Sequence, residues 1–181
     1  MKIRPMKLNG VYEIILNPLR DDRGYFMRTY DEVIFFEHGM ATSWVQENQS
    51  LSTRKGVIRG LHFQHPPHAE TKLVRALKGK IMDVFVDLRK DSETYCQWDS
   101  VVLSANDYRM IYIPKGFAHG FCTLTEEALI SYKVDSCYNP ESEGGIRWSD
   151  EALNIPWPTN SPYLSSRDKL LPTFDDFISP F

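Results

Sequence analysis

The strongest constraint on the fold is the alternation of short apolar runs with turn residues along the whole chain. The segment Ile81–Leu88 is the best example, because Asp83 and Asp87 alternate with apolar neighbours that favour β-strands. Lys78 and Gly79, just before it, are typical of a tight hairpin turn. Many such runs within 181 residues predict a single all-β domain, built as a sandwich or a jelly roll, with a few short peripheral helices.

The same pattern predicts the individual elements. A short helix is predicted over Asp31–Gly39, with Asp31 as its N-cap and Gly39 as its C-terminal stop. The Pro-rich tail after Trp148 is predicted to be mostly irregular and to pack on the β-structure. Strands are predicted at Val11–Leu16, Tyr25–Tyr30, Trp44–Gln49, Gly56–Gln64, Lys72–Lys78, Lys80–Leu88, Trp98–Leu103, Met110–Ile113, Gly120–Leu124 and Leu129–Val134.

Composition narrows the classes of function. A formal net charge of −3 gives no bulk attraction to nucleic acid or to a membrane, so an anionic ligand needs a local basic cluster. No stretch approaches the roughly 20 apolar residues of a membrane span, and the N-terminal MKIRPMKLNG lacks the apolar run of a signal peptide. Three cysteines without CxxC spacing predict a reducing, cytoplasmic setting rather than a disulfide framework: Cys96, Cys122 and Cys137.

One set of spacings carries chemical information. His62 and Gln64 are followed by Lys72, and His119 closes the run Pro114–His119. This arrangement resembles the two short motifs of the cupin superfamily, in which His, His, Glu and a further His hold a divalent metal ion. Here Gln64 stands at the second His position and Lys72 at the Glu position. Because an ammonium group repels a cation at close range, no metal is expected.

The residues that remain at these positions indicate proton transfer. His62 and His119 are candidate bases, Lys72 supplies a fixed positive charge, and Asp83 supplies a carboxylate. A base beside a cation suits the removal of a proton next to a carbonyl, since the cation stabilises the enolate oxygen. Taken singly, each histidine is also compatible with a buried side chain bonded to the backbone, so the interpretation depends on the combination.

A resemblance to one family covers the chain from about Asp21 to Asp168. The strings GLHFQ, KLVR and PKGFAHGF, in this order and spacing, are similar to those of the dTDP-4-dehydrorhamnose 3,5-epimerase family. The resemblance implies a cupin-type jelly-roll β-barrel that epimerises a nucleotide-linked 4-keto-6-deoxyhexose at C3, C5 or both, without a cofactor. The implied conversion is dTDP-4-dehydro-6-deoxy-D-glucose to dTDP-4-dehydro-L-rhamnose. Further similar runs are WVQENQSLS (44–52), SYKVDSCYNPESEGGIRW (131–148) and LSSRD (164–168).

The resemblance assigns the chemistry to four side chains. His62 is the implied base, and Asp168 would orient it and make it a stronger base. Lys72 would hold the C4 oxygen and stabilise the enolate. Tyr132 would return a proton from the opposite face and so invert the stereocentre. Two further side chains would fix these groups: Asp83 and His119.

The resemblance also implies how the nucleotide diphosphate binds. Arg23, Arg59 and Arg167 would contact the pyrophosphate, which suits bidentate arginine. Tyr138 and Phe26 would stack on the base. The remaining implied binding residues are Gln46, Asn48, Arg28, His119 and Glu143.

A homodimer is implied as well. In the family the segment Arg23–Phe26 crosses to the neighbouring subunit, so about the first 45 residues of the single domain 1–181 are expected to contact a partner, and about the last 30 to pack on the barrel. Two departures stand near the expected nucleotide site: Arg28, where Glu is usual, and Gln49, where His is usual. They leave a GDP- or CDP-linked keto sugar, inverted at one centre only, as an alternative.

Two alternatives belong to other classes of function. A metal-dependent cupin enzyme is disfavoured by Gln64 and Lys72, which replace metal ligands. A non-catalytic sugar-nucleotide-binding cupin is disfavoured by the presence of both His62 and Tyr132, since binding alone requires neither an acid nor a base.

Overall fold

The computed structural model describes all 181 residues, and its architecture is a pair of antiparallel β-sheets. One short α-helix, α1 (Glu32–Glu37), and two single-turn 3-10 helices at Pro140–Ser142 and Asp168–Leu170 complete the secondary structure. No helix is long and apolar enough to cross a membrane. The strands are β1 (Lys2–Pro5), β2 (Tyr12–Ile15), β3 (Leu19–Asp21), β4 (Gly24–Phe26), β5 (Gln46–Ser52), β6 (Ile58–Gln64), β7 (Lys72–Lys78), β8 (Lys80–Asp87), β9 (Trp98–Ser104), β10 (Arg109–Ile113), β11 (Phe117–Thr123), β12 (Ala128–Val134) and β13 (Glu143–Gly145).

The order of the strands in the sheets is that of a jelly roll, in which sequence neighbours are often placed in opposite sheets. The six-stranded sheet has the order β1-β2-β10-β7-β12-β5, and the five-stranded sheet has the order β13-β6-β11-β8-β9. The hairpin β3–β4 forms a separate two-stranded unit. The predicted all-β jelly-roll class is confirmed.

Strand register decides which side chains share a face. In the six-stranded sheet Tyr132 lies opposite Val74, and Lys72 lies two residues before Val74 on the same strand. Directly opposed residues and residues two apart point to the same side, so Tyr132 and Lys72 share one face. In the five-stranded sheet His119 lies opposite His62, so the two histidines also share a face.

A close approach of two strands positions the histidines. The register of β11 against β6 shifts between His119 and Phe121. Gly60 has φ +110°, and a Cβ there would lie 2.6 Å from the carbonyl oxygen of His119. Only glycine tolerates both this dihedral and this contact. Gly60 therefore allows β6 to pass against β11 just before His62.

The core has one layer between the sheets and another beneath the C-terminal tail. Along β8, Ile81 and Phe85 join a cluster with residues of the opposite sheet, whereas Val84 and Val86 join a second cluster. The second cluster includes Trp157 of the tail, whose indole N–H donates to the Trp148 carbonyl oxygen at 2.7 Å. Strand β8 is thus buried on both faces, which explains its nearly continuous apolar sequence.

Most predicted elements are present, with differences at their ends. The helix is confirmed, and the Asp31 side chain accepts a hydrogen bond from the Ile34 N–H at 3.3 Å. The strand predicted at Tyr25–Tyr30 is wrong beyond Phe26, because Met27 and Tyr30 instead pack against the apolar cluster around Phe35. Strand β5 is displaced towards Ser52, and β11 begins at Phe117 rather than at Gly120. The short strands β1, β3 and β13 are not predicted by the pattern.

Candidate active site

A polar cleft lies between the two sheets and has two compartments. Their volumes are about 250 Å³ and 260 Å³, and His62, Lys72 and Tyr132 line both of them. The first compartment is completed by Ser50, Arg59, His119, Phe121, Ile130, Ser165, Arg167 and Asp168. The second is completed by Gln46, Asn48, Phe63, Gln64, Glu70, Val134, Tyr138 and Glu143. Three of the four predicted catalytic side chains therefore lie where the compartments meet, and the fourth lines the first compartment.

His62 and Asp168 form a hydrogen-bonded pair. The His62 side chain is 33% exposed, and its Nε2 lies 2.6 Å from Oδ1 of the buried Asp168. The backbone N–H of Asp168 donates to Ser165 Oγ at 3.0 Å, which fixes the turn that carries the carboxylate.

The charge state of Asp168 determines the tautomer of the histidine. Burial alone would raise the pKa of Asp168, but the hydrogen bond and charge of His62 outweigh burial and hold this pKa below its ordinary value. An ionised carboxylate only accepts hydrogen bonds, so His62 Nε2–H donates to it. Nδ1 of His62 has no hydrogen-bond partner in the chain and is free to accept a proton from a molecule in the cleft.

Lys72 and Tyr132 approach the cleft from the sheet opposite His62. Lys72 begins β7, its side chain is 9% exposed, and its Nζ lies 3.1 Å from Glu70 Oε1. Burial, and secondarily the charge of Glu70, raise the pKa of the Tyr132 hydroxyl, while Arg59 acts in the opposite direction. Tyr132 is therefore protonated at neutral pH and can donate a proton across the cleft from His62.

His119 is hydrogen-bonded to a buried carboxylate. Its Nε2 lies 2.9 Å from Asp83 Oδ2, and Asp83 is 0% exposed. The other oxygen, Asp83 Oδ1, has no hydrogen-bond partner. Asp83 does not line the cleft, so it is not among the exposed groups of the barrel mouth, and its hydrogen bond to the cleft goes to His119.

The second compartment brings several predicted binding residues together. Gln46 and Asn48 point into it because β5 alternates half-buried and exposed residues. The Tyr138 N–H donates to Gln46 Oε1 at 2.6 Å. Arg167 forms an ion pair with Glu143 at 2.6 Å, which joins the walls of the two compartments. The exposed ring of Tyr138 and this arginine suit a base and a phosphate, respectively.

Three predicted binding residues do not reach the cleft of their own chain. Arg23 is 90% exposed and pairs with Asp21, and Phe26 is exposed on the hairpin β3–β4. Arg28 pairs with Asp31, the N-cap of α1, at 2.7 Å. None of the three lines either compartment.

The expected location of Gln49 is wrong. Its neighbours Asn48 and Ser50 face the cleft, so the two-residue period of β5 turns Gln49 to the opposite face. There it lies in a shallow groove with Thr29 and Arg75.

The clearest site residue absent from the sequence prediction is Glu70, which contacts Lys72. Ser50 and Ser165 also line the cleft without having been predicted. Nothing in the spacing marks Glu70, because it stands in the irregular segment before β7. Ser50 was identifiable from strand alternation, since it shares a face with Gln46 and Asn48.

The donor set of the cleft does not suit a metal ion. Gln64 uses its amide group to bind surrounding chain segments: its Oε1 accepts from the Asn139 N–H at 2.7 Å, and its Nε2 donates to the His68 carbonyl oxygen at 3.0 Å. No group of three or more His, Cys, Asp and Glu side chains is placed to hold a metal. With an ammonium at the position of the cupin glutamate, the residues present do not fit a cation.

The jelly roll and its polar cleft are those of an enzyme of the cupin class. A family model described as dTDP-4-dehydrorhamnose 3,5-epimerase matches residues 5–176. The chain belongs to the dTDP-4-dehydrorhamnose 3,5-epimerase family, and it is an isomerase.

Individual relatives agree with this assignment. The dTDP-4-dehydrorhamnose 3,5-epimerase of Shigella flexneri is 48% identical over 149 residues, 82% of each chain. The crystal structure of the Bacillus anthracis dTDP-4-dehydrorhamnose 3,5-epimerase with TDP and PPi bound is 44% identical and superposes with a TM-score of 0.92, over 95% of this chain and 98% of that one. A dTDP-4-dehydrorhamnose 3-epimerase of Streptomyces niveus is 39% identical over 93% of this chain and 82% of its own.

Proposed function

We propose that this enzyme converts dTDP-4-dehydro-6-deoxy-D-glucose to dTDP-4-dehydro-L-rhamnose by inverting C3 and C5. The observation that carries the proposal is the placement of a base and an acid on opposite sheets, with a buried ammonium beside them: His62 with Asp168, Tyr132, and Lys72. Inversion of a carbon requires removal of a proton on one face and its return on the other.

Each inversion uses the same sequence of proton transfers, and between the two inversions proton exchange with water returns a proton to Tyr132 and removes one from His62. The lone pair of His62 Nδ1 takes the proton from the carbon next to the C4 ketone, and the C–H electron pair moves into the ring to form the enolate. Lys72 lies where it can stabilise the negative charge on the C4 oxygen. Tyr132 then donates its hydroxyl proton to the opposite face of the carbon, and the ketone is restored. The substrate ketone makes the C–H bonds acidic, so the proposed reaction uses no cofactor.

The rest of the cleft supports binding of a nucleotide diphosphate. Arg59 and Arg167 line the first compartment and are suited to the pyrophosphate. Tyr138 lies in the second compartment, where its ring can stack on a base. The Bacillus anthracis relative was solved with TDP and PPi bound, which supports a thymidine nucleotide for this chain.

The stereochemistry of the product tests the proposal. The protein is incubated with dTDP-4-dehydro-6-deoxy-D-glucose, the ketone is reduced with borohydride, and the sugars are identified from their proton coupling constants. We expect sugars inverted at both C3 and C5. Recovery of sugars with the original configuration at both carbons would contradict the proposal.

Inversion at C3 alone is a second candidate function. The 39% identical Streptomyces niveus relative is a 3-epimerase, so the fold accommodates either outcome. The same reduced products distinguish the candidates, because a C3 enzyme leaves C5 in its original configuration.

The role proposed for Asp168 predicts a large loss of activity in Asp168→Asn. We expect kcat to fall about a hundredfold or more, because an amide neither stabilises the imidazolium nor selects the Nε2–H tautomer. Steady-state kinetics at neutral pH measure the loss. Asp175→Asn removes an exposed carboxylate of the tail and is the matched control. A kcat for Asp168→Asn equal to that of the control would contradict the role.

The same variant tests the electrostatics of the pair. The pKa of Asp168 is lower in the folded protein than in the unfolded chain, so the pairing stabilises the fold above the unfolded pKa. This contribution is lost as the pH falls through the folded pKa. Thermal unfolding followed from neutral to acidic pH should therefore change less in Asp168→Asn than in the wild type.

We also propose that the enzyme acts as a homodimer in which the hairpin β3–β4 of one subunit completes the cleft of the other. Leu19, Tyr25 and Phe26 are 51–69% exposed on this hairpin, which is more apolar surface than a free loop usually carries. Leu51 and Leu77 are exposed on the outer face of the six-stranded sheet, beside the groove that contains Gln49. The exposed apolar side chains of both regions favour contact with a second copy of this chain.

The mass in solution and one substitution test the dimer. Sedimentation should give 2 × 21.0 = 42.0 kDa. Phe26→Ala should raise KM severalfold with little change in kcat, since the ring is proposed to bind the base. Ile178→Ala, an exposed apolar residue of the C-terminal tail, is the control. A fully active 21.0 kDa monomer would contradict the proposal.

A further inference from the structure

Glu70 lies beside Lys72 in the second compartment of the cleft and has no role in the reaction described so far. Its side chain is 14% exposed and lines the second compartment. One carboxylate oxygen, Oε1, lies 3.1 Å from Lys72 Nζ, and this is the only ion pair of the lysine. The other oxygen, Oε2, accepts a hydrogen bond from Gln64 Nε2 at 3.2 Å. The carboxylate is therefore held at one end by an amide and itself holds the ammonium at the other.

The surroundings of Glu70 are anchored to the barrel. Gln64 is buried, and besides Glu70 its Nε2 contacts the carbonyl oxygens of His68 and Cys137. The N–H of Thr71, between Glu70 and Lys72, donates to Asp135 Oδ1 at 2.7 Å. Because these contacts restrict the rotamers of Glu70, its carboxylate can hold the Lys72 ammonium in one position.

The charge of Glu70 is as significant as its position. A nearly buried ammonium is costly without a partner, and Glu70 supplies the only carboxylate that pairs with Lys72. The same charge reaches Tyr132, whose pKa it raises in addition to the effect of burial. The cationic groups that share the cleft with Tyr132 are Arg59, Lys72 and Arg167, with His62, His119 and Tyr138 as titratable neighbours. Two further carboxylates are each engaged elsewhere: Asp168 with His62, and Glu143 with Arg167. Glu70 is thus the carboxylate that acts on the acid and the cation together.

We propose that Glu70 is a positioning residue for the epimerisation: it holds Lys72 at the C4 oxygen and places its negative charge in the compartment that Tyr132 also lines. It acts through these two side chains and does not touch the reacting carbons. The role assigned here rests on the proposed function, because it requires Lys72 and Tyr132 to act on the keto sugar.

The isosteric variant Glu70→Gln tests the role with two independent measurements. The first is the pH profile of kcat. Loss of the negative charge lowers the pKa of Tyr132, so the alkaline limb should move to lower pH. At neutral pH kcat should fall severalfold to tenfold while KM changes little, because the affected interactions are made in the transition state. Glu70→Asp, which keeps the charge, should restore the alkaline limb.

The second measurement needs no substrate. In protein carrying tyrosine labelled with ¹³C at Cζ, the signal of Tyr132 is identified by its absence in Tyr132→Phe. Its titration midpoint should move to lower pH in Glu70→Gln. This result stands even if the wild type fails to epimerise the substrate, so failure of the proposed function and failure of the Glu70 role can be told apart.

Glu141→Gln is the matched control. Glu141 is an exposed carboxylate in the nearby 3-10 turn and lines neither compartment. The proposal is overturned if Glu70→Gln keeps the kcat, the alkaline limb and the Tyr132 titration of the Glu141→Gln control. Circular dichroism verifies the fold of each variant. If Glu70→Gln does not fold, Glu70→Ala replaces it: a Tyr132 midpoint at lower pH than in Glu141→Gln supports the role, and an unchanged midpoint overturns it.

Discussion

Replacement of His62 by alanine is expected to lower kcat about 10³-fold, because the variant lacks the base that we propose removes the proton. The fold should survive, since the His62 side chain is one-third exposed and its main tertiary contact is the hydrogen bond to Asp168. Steady-state kinetics with the keto sugar measure the activity, and thermal unfolding measures the stability. Binding of dTDP should persist, since His62 is not assigned to the nucleotide.

His38→Ala is the control for this prediction. His38 is exposed at the end of α1 and bonds only to its own helix, through Nδ1 and the Ile34 carbonyl oxygen at 2.8 Å. Its removal should leave kcat unchanged. A His62→Ala variant that retains near-wild-type turnover would rule out the proposed base, and with it the function of the His62–Asp168 pair.

Tyr132→Phe is expected to separate proton exchange from inversion. The phenyl ring keeps the volume of the half-buried side chain, but the proton donor on the six-stranded sheet is lost. His62 can still remove a proton and return a solvent-derived one to the same face, so exchange should partly survive. Formation of inverted sugar should fall about a hundredfold or more. A time course in D₂O, with the product identified after reduction, measures both quantities in one sample.

The control for this variant is Tyr163→Phe, which removes a hydroxyl from a half-exposed tyrosine outside the cleft. Wild-type behaviour is expected there. Inverted product formed by Tyr132→Phe at the rate of this control would show that another group returns the proton, and His119 would be the first to examine because it lines the same compartment.

Strand periodicity predicts the class of fold because the buried face of each strand must be apolar. Strand β8 and the turn at Gly79 follow directly from this rule. Periodicity fails for β1 (KIRP) and β3 (LRD), which are short, mostly exposed and polar. Periodicity also predicts a longer β4 than the structure has. Met27 and Tyr30 continue the apolar pattern, but they pack against the cluster around Phe35 and not in a sheet.

Prediction of the active site is limited in the same way, because sequence spacing is informative only for residues in regular strands. His62, Lys72 and His119 stand at spacings that resemble the cupin motifs, and the structure brings the three side chains to one cleft. Tyr132 is an ordinary strand tyrosine by pattern, and only the resemblance to a family distinguishes it. Glu70 lies in an irregular segment, where no period relates sequence position to direction. Arg23 and Phe26 lie on an exposed hairpin outside the cleft of their own chain, and strand periodicity does not test the partner contact proposed for them.

Proton NMR of dTDP-4-dehydro-6-deoxy-D-glucose incubated with the wild-type protein in D₂O tests the central claim most directly. Removal of a proton on either side of the C4 ketone replaces that proton with deuterium from the solvent. The account predicts that the H3 and H5 signals both disappear, at a rate that His62→Ala reduces about 10³-fold. Persistence of both signals, with this substrate and with its GDP- and CDP-linked counterparts, would contradict it.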